Sequence, residues 1–430
     1  MTYDLAIIGA GWAGFNAAIK AKELGLKLVL IENRQIGGTC LNRGCIPTKA
    51  LIKSAKIYNL AKKAAAFGVE ASAPKINFGR VQLRKEKIVA DLGRGMESVL
   101  KGIDFIRGEA RLLNSNEIRS GEALIKAERI IIACGSKPAG LKGISFDNKK
   151  VISSDEILSL KEIPGSLLII GGGVISCEFA GLFSSLGSEV TVIEKMPQLL
   201  PGIDKEVSRK LENSFKKKGI KALTSADAAS LDFNNYDLVL VAVGRIPDTE
   251  NLGAKEAGIV LERSAVKVDE NLRTNIKNIF AAGDCTGQVL LAHFAAYQGR
   301  IAALNAAHPG DPLKCDNKTI PSCIFTNPEI GVVGINEEEA LKNGFEAEIK
   351  KFDFIASPMA RIIDEAEGFI KIIVDKKTGL VLGASIIGPC ATELIAIAGL
   401  AITNRLKAIE VADTVFAHPT LSESLHEAFK

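Results

Sequence analysis

Two stretches of the chain repeat the same succession of apolar and polar segments. In the first, an apolar run at residues 5–8 leads into a glycine-rich turn, an alanine-rich segment that stops at Gly25, and a second apolar run that ends at Glu32. Residues 167–194 repeat this order. Short apolar runs bounded by glycine and charge are typical of buried parallel strands, and the segments between them have the length of a helix. The pattern therefore predicts two α/β units, each built as strand, turn, helix and strand.

The glycine spacing within the two turns predicts what the two units bind. Glycine lets the backbone approach a pyrophosphate closely, and the N-terminus of the following helix stabilises the phosphate charge. A glycine turn alone is a weak signal, but both copies here have the flanking strand and helix that a dinucleotide site requires. The third position of the second turn is a serine, which is small enough for close helix–strand packing. The turn residues are Gly9, Gly11 and Gly14 in the first unit and Gly171, Gly173 and Ser176 in the second.

An acidic residue ends the second strand of each unit. Glu32 follows Gly9 by 23 residues, and Glu194 follows Gly171 by the same 23 residues. An acid at this point binds a ribose hydroxyl and repels the 2′-phosphate of NADP, so Glu194 favours NAD. An ordinary charge at a strand end is the alternative for Glu194, and the matched spacing in two copies counts against it. Nothing in this chemistry accounts for Trp12, a bulky residue inside the first turn.

Residues 37–49, with the sequence GGTCLNRGCIPTK, place two cysteines between glycines. Because an α-helix turns by about 100° per residue, the sulfurs can meet only if Cys40 lies at the turn that opens a helix and Cys45 lies in the first turns of that helix. Exposed N–H groups at a helix start lower the pKa of a cysteine and favour the reactive thiolate. The pair is therefore predicted to be a redox-active dithiol, with Lys49 on the helix face of Cys45.

Two other interpretations of the cysteine pair remain open at this level. The cysteines could be buried packing residues, or they could form half of a zinc site. A zinc site needs further cysteine or histidine ligands. The sequence contains neither a second CxxC spacing nor a paired-histidine cluster, so no metal is expected.

The composition narrows the classes of function. A chain of 430 residues predicts about three domains. A net charge of +4 and sparse aromatic residues argue against nucleic-acid binding. Glu178 and Glu393 interrupt the longest apolar stretches, so no membrane span is expected, and no signal peptide is expected before the first strand. The cysteines outside the pair are too scattered for a secreted disulfide scaffold, so we expect a cytoplasmic protein with reduced thiols at Cys134, Cys177, Cys285, Cys315, Cys323 and Cys390.

From about Leu313 the pattern changes to a series of short strands. These strands predict an antiparallel sheet. Residues 391–404 are apolar nearly all round, so this helix is expected to be buried, against another subunit. The predicted strands are residues 321–334, 349–355, 368–374 and 381–387.

The end of the chain has two interpretations. Thr420 and Glu423 fit an S/T-x-x-E capping box, which alone could explain both residues. In the functional interpretation, Glu423 orients His418, which acts as the base for a thiol. The spacing does not separate the two interpretations, and both can hold together.

The sequence of residues 37–49 resembles the redox-disulfide motif of the class I pyridine nucleotide–disulfide oxidoreductases, and the resemblance extends over essentially the whole chain. It implies FAD and NAD as cofactors and the oxidation of a protein-bound dihydrolipoyl group with NAD⁺ as acceptor. In that family the substrate thiolate attacks the outer sulfur, which corresponds to Cys40, while Cys45 passes electrons to the flavin.

The resemblance also assigns roles to residues that spacing alone does not distinguish. His418 would be supplied across the dimer as the base, oriented by Glu423, and Lys49 would pair with Glu178 beside the flavin. Asp284 would bind the ribityl chain of the flavin, although an ordinary turn aspartate is the alternative. The further cofactor contacts implied by the resemblance are Gly38, Thr39, Lys49 and Gly244.

The same resemblance gives the expected architecture and partners. The fold class is α/β, with two Rossmann-like dinucleotide-binding domains and a C-terminal α+β dimerisation domain. The expected partners are a second copy of the chain and a lipoyl-bearing protein or another component of a 2-oxo acid dehydrogenase complex. Segments 108–126 and 220–235 look shorter than the strand meanders usual in the family, which bears on docking surfaces. The expected domains are FAD-binding at residues 1–146 and 269–312, NAD-binding at 147–268, and dimerisation at 313–430.

Three other functions stay open from the sequence. An NAD(P)H-dependent reductase of another disulfide, such as that of a glutathione-type thiol, is disfavoured by Glu194 and by the sequence of residues 37–49. A non-catalytic protein that binds lipoyl-bearing partners would have no use for Cys40, Cys45 and His418 together. A flavin diaphorase that reduces quinones would keep its activity without either cysteine.

Overall fold

The chain folds as an α/β protein with a mainly parallel first sheet, a parallel second sheet and an antiparallel sheet near the C-terminus, which is the predicted fold class. A computed structural model describes residues 2–70 and 72–430; Met1 and Ala71, which fall in the predicted first domain, lie outside the described residues. Within these described ranges, no helix is long and apolar enough to cross a membrane.

The first sheet and its helices carry the first glycine turn and the cysteine pair. Their bounds are β1 Thr2–Ile8, α1 Trp12–Glu23, β2 Leu28–Glu32, α2 Gly38–Arg43, α3 Cys45–Lys62, α4 Phe78–Val99, β3 Asp104–Arg107, β4 Ala110–Leu112, β5 Glu117–Ser120, β6 Ala123–Ile132 and β7 Ser136–Pro138. The sheet has the order β3-β2-β1-β6-β5-β4, and its first four strands are parallel. Every residue of β2 is buried, as expected for a central strand of a parallel sheet that is covered on both faces.

The strand register explains the spacing between the first glycine turn and its acid. Ile8 at the end of β1 pairs with Ile31 in β2, so Gly9 and Glu32 emerge side by side at one edge of the sheet. Gly9 has a φ of +100°, and a Cβ there would lie 2.3 Å from the carbonyl oxygen of Ala133. The turn after β1 therefore requires glycine.

The second unit repeats this design with a fully parallel sheet. Its bounds are β8 Val151–Ile152, β9 Ser166–Ile170, α5 Val174–Leu186, β10 Glu189–Ile193, α6 Lys205–Lys217, β11 Lys221–Leu223, β12 Leu238–Val241 and β13 Arg245–Pro247. The sheet order is β11-β10-β9-β12-β8, and β13 leaves it to pair with β7 of the first unit. Ile170 pairs with Ile193, which is the register that Ile8 and Ile31 have in the first unit.

After the second sheet the chain returns to the first. The returning elements are β14 Leu261–Glu262, β15 Ala265–Val266, β16 Ile279–Ala281 and α7 Ala292–Ala307. Ile279 in β16 pairs with Ile130 in β6, in parallel, and α7 packs against α1. The first sheet is thus completed by residues that follow the second sheet in the sequence.

The C-terminal region forms a five-stranded antiparallel sheet covered by helices. Its bounds are β17 Ser322–Ile324, β18 Glu329–Gly334, α8 Glu337–Lys342, β19 Ala347–Asp353, α9 Pro358–Ile362, β20 Phe369–Asp375, β21 Val381–Gly388, α10 Ala391–Thr403, α11 Ala408–Ala412 and α12 Ser422–Phe429. The strand order is β17-β18-β21-β20-β19, and α10 packs on β18 and β21. Leu400 on the outer side of α10 is 63% exposed in the single chain.

One predicted strand is wrong in its extent. Residues 321–334 form the two antiparallel strands β17 and β18 rather than one strand, with Ser322 paired to Val332. The turn between them contains Asn327 and Pro328. Proline has no backbone N–H to donate to a ladder, and an Asn-Pro pair favours a turn, so the apolar run is divided there.

Candidate active site

One cavity of about 1790 Å³ joins the two glycine turns. It begins at the first turn, with Gly9 and Gly11, passes Cys40 and Cys45, and reaches the second turn. The cavity therefore places both predicted dinucleotide sites and the cysteine pair in one continuous space, because residues at the C-terminal ends of strands in both sheets line it.

The first turn forms a cradle that fits a dinucleotide. Glu32 Oε2 accepts the N–H of Ala10 at 2.7 Å, and Oε1 accepts the N–H of Arg34 at 2.7 Å, so the acid is fixed beside the turn. A Cβ on Gly38 would lie 2.7 Å from the Cα of Gly11. Only glycine lets the cysteine loop close over the turn this tightly, and the remaining cavity fits FAD.

Asp284 lines the same cavity as the first glycine turn. The Ser136 hydroxyl donates to Asp284 Oδ2 at 2.6 Å, and both residues line the cavity. Arg245 donates to the Ser136 hydroxyl at 2.8 Å and lies 3.4 Å from the Thr39 hydroxyl. Gly244, with a φ of +122°, also lines the cavity. The polar end of the cradle is thus built from three separate segments of the chain.

The second turn repeats the arrangement of the first. Glu194 accepts the N–H of Gly172 with one carboxylate oxygen and the N–H of Met196, at 2.7 Å, with the other. A Cβ on Gly173 would meet nothing within 4 Å, so the turn is open toward the cavity. Ser176 is fully buried, and its hydroxyl donates to the Ala242 carbonyl at 3.3 Å. These features fit a second dinucleotide, with the acid held at the position that binds a ribose hydroxyl.

The local geometry of the cysteine pair differs from the prediction. Cys40 lies within α2, and the helix is interrupted at Gly44, which has φ −147° and ψ −112°. Cys45, and not Cys40, is the first residue of the long helix α3. The interruption turns the chain between the two helices, so that the sulfurs meet although the residues are five positions apart. The helix-start effect therefore acts on Cys45.

The two free thiols interact with each other, and their pKa values move in opposite directions. The hydrogen bond with Cys45, followed by burial, raises the pKa of Cys40. The hydrogen bond from Cys40 lowers the pKa of Cys45 to about 7, and the Lys49 charge acts in the same direction against burial. When the pair holds one proton, the proton stays on Cys40 and the negative charge on Cys45.

Lys49 and Glu178 form an ion pair beside the cysteines. Lys49 Nζ lies 2.9 and 2.8 Å from the two carboxylate oxygens of Glu178, whose side chain is 3% exposed. The N–H of Phe325 donates to Glu178 Oε1 at 3.0 Å, and the Lys49 ammonium lies 4.7 Å from the centre of the Phe325 ring. The pair thus connects α3, α5 and the C-terminal sheet, and it fixes a positive charge at the inner end of the cavity.

His418 and Glu423 are together, but away from the cavity of their own chain. His418 Nδ1 lies 2.9 Å from Glu423 Oε1, and its side chain is 70% exposed. Glu423 Oε2 also accepts the N–H of Thr420 at 2.9 Å. The hydrogen bond from Thr420, followed by that from His418, lowers the pKa of Glu423. Glu423 thus contacts His418 and makes one of the two hydrogen bonds of a capping box, but the box is not completed, because the Thr420 hydroxyl donates to Ala417. The role of His418 as a base stays a prediction.

Comparison with known families agrees with this site. Residues 3–299 match the family described as pyridine nucleotide-disulphide oxidoreductase, and residues 320–429 match its dimerisation domain. The chain belongs to the pyridine nucleotide-disulphide oxidoreductase family. Members of this family and dihydrolipoyl dehydrogenases use FAD and NAD(H), which are the cofactors that the two turns fit.

Relatives of this oxidoreductase extend over nearly its full length. A dihydrolipoyl dehydrogenase of Chlamydia pneumoniae is 41% identical over 98% of this chain and 95% of the relative. A dihydrolipoyl dehydrogenase of Bacillus subtilis is 38% identical over 99% of this chain and 97% of the relative. Among solved structures, the HOCl-induced flavoprotein disulfide reductase RclA of Escherichia coli is 31% identical with a TM-score of 0.89, covering 99% of both chains. LpdA of Mycobacterium tuberculosis is 28% identical with a TM-score of 0.91, covering 99% of this chain and 98% of that one.

Three residues of the oxidoreductase site were not found from the sequence. Arg245 directly follows Gly244, which the family resemblance had placed among the cofactor contacts, so its position was a usable signal. Ser136 is the first residue of β7, and nothing in the sequence around it predicts a contact with Asp284. Phe325 has no local signal, because its contacts to Lys49 and Glu178 exist only after three parts of the chain have packed together.

Proposed function

We propose that this oxidoreductase oxidises a dihydrolipoyl group to its cyclic disulfide with NAD⁺ as the acceptor, through FAD and the Cys40–Cys45 pair. The observation that carries this conclusion is the single cavity in which both cysteines lie between two dinucleotide turns. Full-length relatives named dihydrolipoyl dehydrogenase support the choice of substrate.

The acidity of the two thiols supports attack at Cys40. In thiol–disulfide exchange the sulfur with the lower pKa leaves faster. Because the pKa of Cys45 is about 7 and that of Cys40 is raised, Cys45 is the better leaving group. A substrate thiolate thus bonds to Cys40 and breaks the Cys40–Cys45 bond, and Cys45 takes the electron pair as a thiolate. The positive charge of Lys49 stabilises that thiolate.

The second exchange releases the product. The other thiolate of the substrate attacks the substrate sulfur that is bonded to Cys40. A sulfur–sulfur bond forms within the lipoyl ring, the bond to Cys40 breaks, and Cys40 takes the electron pair. His418 of a second copy, held by Glu423, is proposed to take the thiol protons of the substrate. Its 70% exposed side chain beside an ionised carboxylate supports a role outside its own chain.

The cofactor assignment follows the two turns. When bound, FAD supplies a two-electron relay from the dithiol to NAD⁺. We assign the FAD-binding domain to residues 1–146 and 269–312, with Gly9, Gly11, Gly14, Glu32 and Asp284 among its contacts. The NAD-binding domain is assigned to residues 147–268, where Gly171, Gly173 and Glu194 hold the nucleotide.

The dimerisation domain matched at residues 320–429 supports a homodimer. The partly exposed outer side of α10, with Leu400, is a suitable contact for the second copy. We further propose that the substrate is carried by a lipoyl-bearing protein, such as a component of a 2-oxo acid dehydrogenase complex. A cytoplasmic location is proposed because eight cysteines in 430 residues are too sparse for a secreted disulfide scaffold.

The test of the function is replacement of Cys45. In Cys45→Ser, dihydrolipoamide oxidation with NAD⁺ should fall to background while FAD stays bound, because no disulfide can form. Cys390→Ser, at an exposed cysteine outside the cavity, is the matched control and should keep full activity. Steady-state rates and the flavin-to-protein ratio measure both variants. Full activity in Cys45→Ser would exclude the mechanism, and a preference for NADPH with glutathione disulfide would favour the alternative reductase.

A further inference from the structure

The redox loop, which we define as residues 37–45, is joined to the second unit by an ion pair. Arg43, the last residue of α2, has its Nε 3.3 Å from Oδ2 of Asp155, which follows β8 of the second unit. The two side chains are 25% and 19% exposed, and both residues line the cavity. The loop that carries the cysteine pair therefore makes a charged contact with a separate unit of the protein.

Arg43 lies where the position of the loop determines the separation of the two cysteines. The next residue, Gly44, interrupts the helical segment between Cys40 and Cys45. A Cβ on Gly44 would lie 3.4 Å from the Cα of Cys40, so Gly44 packs closely on the Cys40 backbone. Because Cys45 follows Gly44 directly, a movement of the end of α2 changes the distance between the two sulfurs.

Asp155 is a fixed partner for this contact. Its N–H donates to the Ser153 hydroxyl at 3.1 Å. The short 3₁₀-helix that follows, Glu156–Ser159, is held by α4 of the first unit, because the buried Lys85 donates to the Leu158 carbonyl at 3.0 Å. Helix α4 in turn packs against α3, the helix that begins with the second cysteine. Asp155 is thus tied to the first unit independently of its ion pair.

Arg43 is the cation in direct contact with Asp155. Arg245 and Arg34 also attract the Asp155 carboxylate by charge. The guanidinium of Arg245, however, donates to the hydroxyl of Ser136 at 2.8 Å and to its carbonyl at 2.7 Å. Within the described residues Arg43 Nε has no aligned hydrogen-bond partner, so its contact with Asp155 is an ion pair.

We propose that Arg43 is a positioning residue whose ion pair with Asp155 holds the end of α2 in place, so that Cys40 and Cys45 form their disulfide more readily. The inference rests on the proposed function, because it concerns the disulfide that this function requires. The ion pair and the disulfide restrict the motion of the same loop, so each lowers the entropy cost of forming the other. Loss of the ion pair makes the disulfide easier to reduce and raises its reduction potential.

The test is the equilibrium of the holoenzyme with mixtures of reduced and oxidised dithiothreitol, without oxygen and at neutral pH. Each dithiothreitol that closes to its cyclic disulfide gives two electrons to the cysteine pair, and its thiol protons pass to the cysteines or to the buffer. Rapid alkylation followed by mass spectrometry gives the reduced fraction. We expect Arg43→Gln and Asp155→Asn each to lower the equilibrium constant for disulfide formation about fivefold, which raises the potential by about 20 mV.

The two single variants separate positioning from charge. Arg43→Gln removes a positive charge near the thiolates and Asp155→Asn removes a negative one, so a purely electrostatic effect would shift the potential in opposite directions. Positioning shifts both upward, and the double variant should shift no further than either single variant. Asp91→Asn, which breaks an exposed ion pair with Lys87 on α4, is the matched control and should leave the potential unchanged. The flavin-to-protein ratio checks that each variant keeps its fold.

Opposite shifts in the two single variants, no shift in either, or additive shifts in the double variant would overturn the proposal. The experiment uses no dihydrolipoyl substrate, so it separates this inference from the proposed function. A native cysteine pair that forms no disulfide would refute both. A native disulfide whose potential is unchanged in the variants would refute only the role of Arg43. The expected shifts in a protein that fails to oxidise dihydrolipoamide would refute the function and keep that role.

Discussion

The two glycine turns have the same backbone design and different surroundings. In both units the glutamate at the end of the second strand accepts hydrogen bonds from backbone N–H groups, and the first two strands of each unit end in the same register. The first turn, however, is covered by the redox loop at Gly38, whereas Gly172 of the second turn packs on Glu194 and Leu199 of its own unit. A dinucleotide unit becomes part of a redox site here because a second loop closes over its turn.

The difference extends to single positions of the turns. Trp12 follows the second glycine of the first turn, and Val174 occupies the corresponding position of the second. The third glycine, Gly14, is matched by Ser176. A Cβ on Gly14 would lie 1.8 Å from the carbonyl oxygen of Gly9, so the first turn is the tighter one. The second turn has room for a side chain because it closes less tightly.

The largest expected effect comes from exchanging this third position. Gly14→Ser should destabilise the protein by at least about 3 kcal/mol and prevent flavin loading, because its Cβ would overlap the Gly9 carbonyl. Ser176→Gly should cost only about 1 kcal/mol, through backbone entropy and one weak hydrogen bond. Flavin content and urea unfolding measure both. Equal free energies of unfolding for the two variants would remove the proposed difference in tightness.

The next largest effect is a difference in reactivity between two thiols, one beside each glycine turn. Cys45 belongs to the redox loop of the first turn, while Cys177 lies behind the second turn, where burial raises its pKa. The thiolate of Cys45 forms as the pH rises through about 7 and is lost below it, so its alkylation in the reduced enzyme should increase between about pH 6 and 8.

At about pH 8, Cys45 should react more than about a hundredfold faster than Cys177, because one sulfur is an accessible thiolate and the other is a buried thiol. Site-resolved mass spectrometry after iodoacetamide treatment of the reduced native protein measures this ratio. Comparable labelling of both cysteines, or labelling of Cys45 that does not depend on pH, would contradict the assignment.

The smallest effect distinguishes the two acids. Glu194→Gln should weaken NAD binding about tenfold, or about 1.4 kcal/mol, and narrow the preference for NAD over NADP, because the charge-assisted hydrogen bond to a ribose is lost. Flavin content should be unchanged. Glu32→Gln should have the reverse effect, with weaker FAD retention and unchanged NAD affinity. Titrations of each nucleotide into each variant test this crossed pattern, which would fail if both changes affected the same cofactor.

The sequence was sufficient wherever local chemistry and register determine the structure. The 23-residue interval from Gly9 to Glu32 reflects a parallel strand pair, and the same interval from Gly171 gave the second unit. The helix expected at residues 391–404 forms as α10, Ala391–Thr403, because its apolar positions are continuous. The contact of Glu423 with the Thr420 backbone was expected from their three-residue spacing, and its contact with His418 was expected from the chemistry of the two side chains.

The rest depended on contacts between distant parts of the chain. The interruption at Gly44 could not be placed, because the glycine conformation is selected by how α2 and α3 pack. The ion pair of Lys49 and Glu178 joins residues far apart in the sequence, so only the family resemblance pointed to it. Trp12 had no explanation from the sequence, because its surroundings form only when the redox loop, residues 37–45, packs on the first glycine turn.

The late return of the chain to its first sheet has a consequence for biosynthesis. Strand β16, which pairs with β6, and Asp284, which follows it, are translated only after the whole second sheet. A nascent chain that stops before residue 279 therefore lacks one wall of the flavin cradle, however well its first glycine turn has formed. Flavin capture should accordingly occur near the end of synthesis, after the second parallel sheet has already left the ribosome.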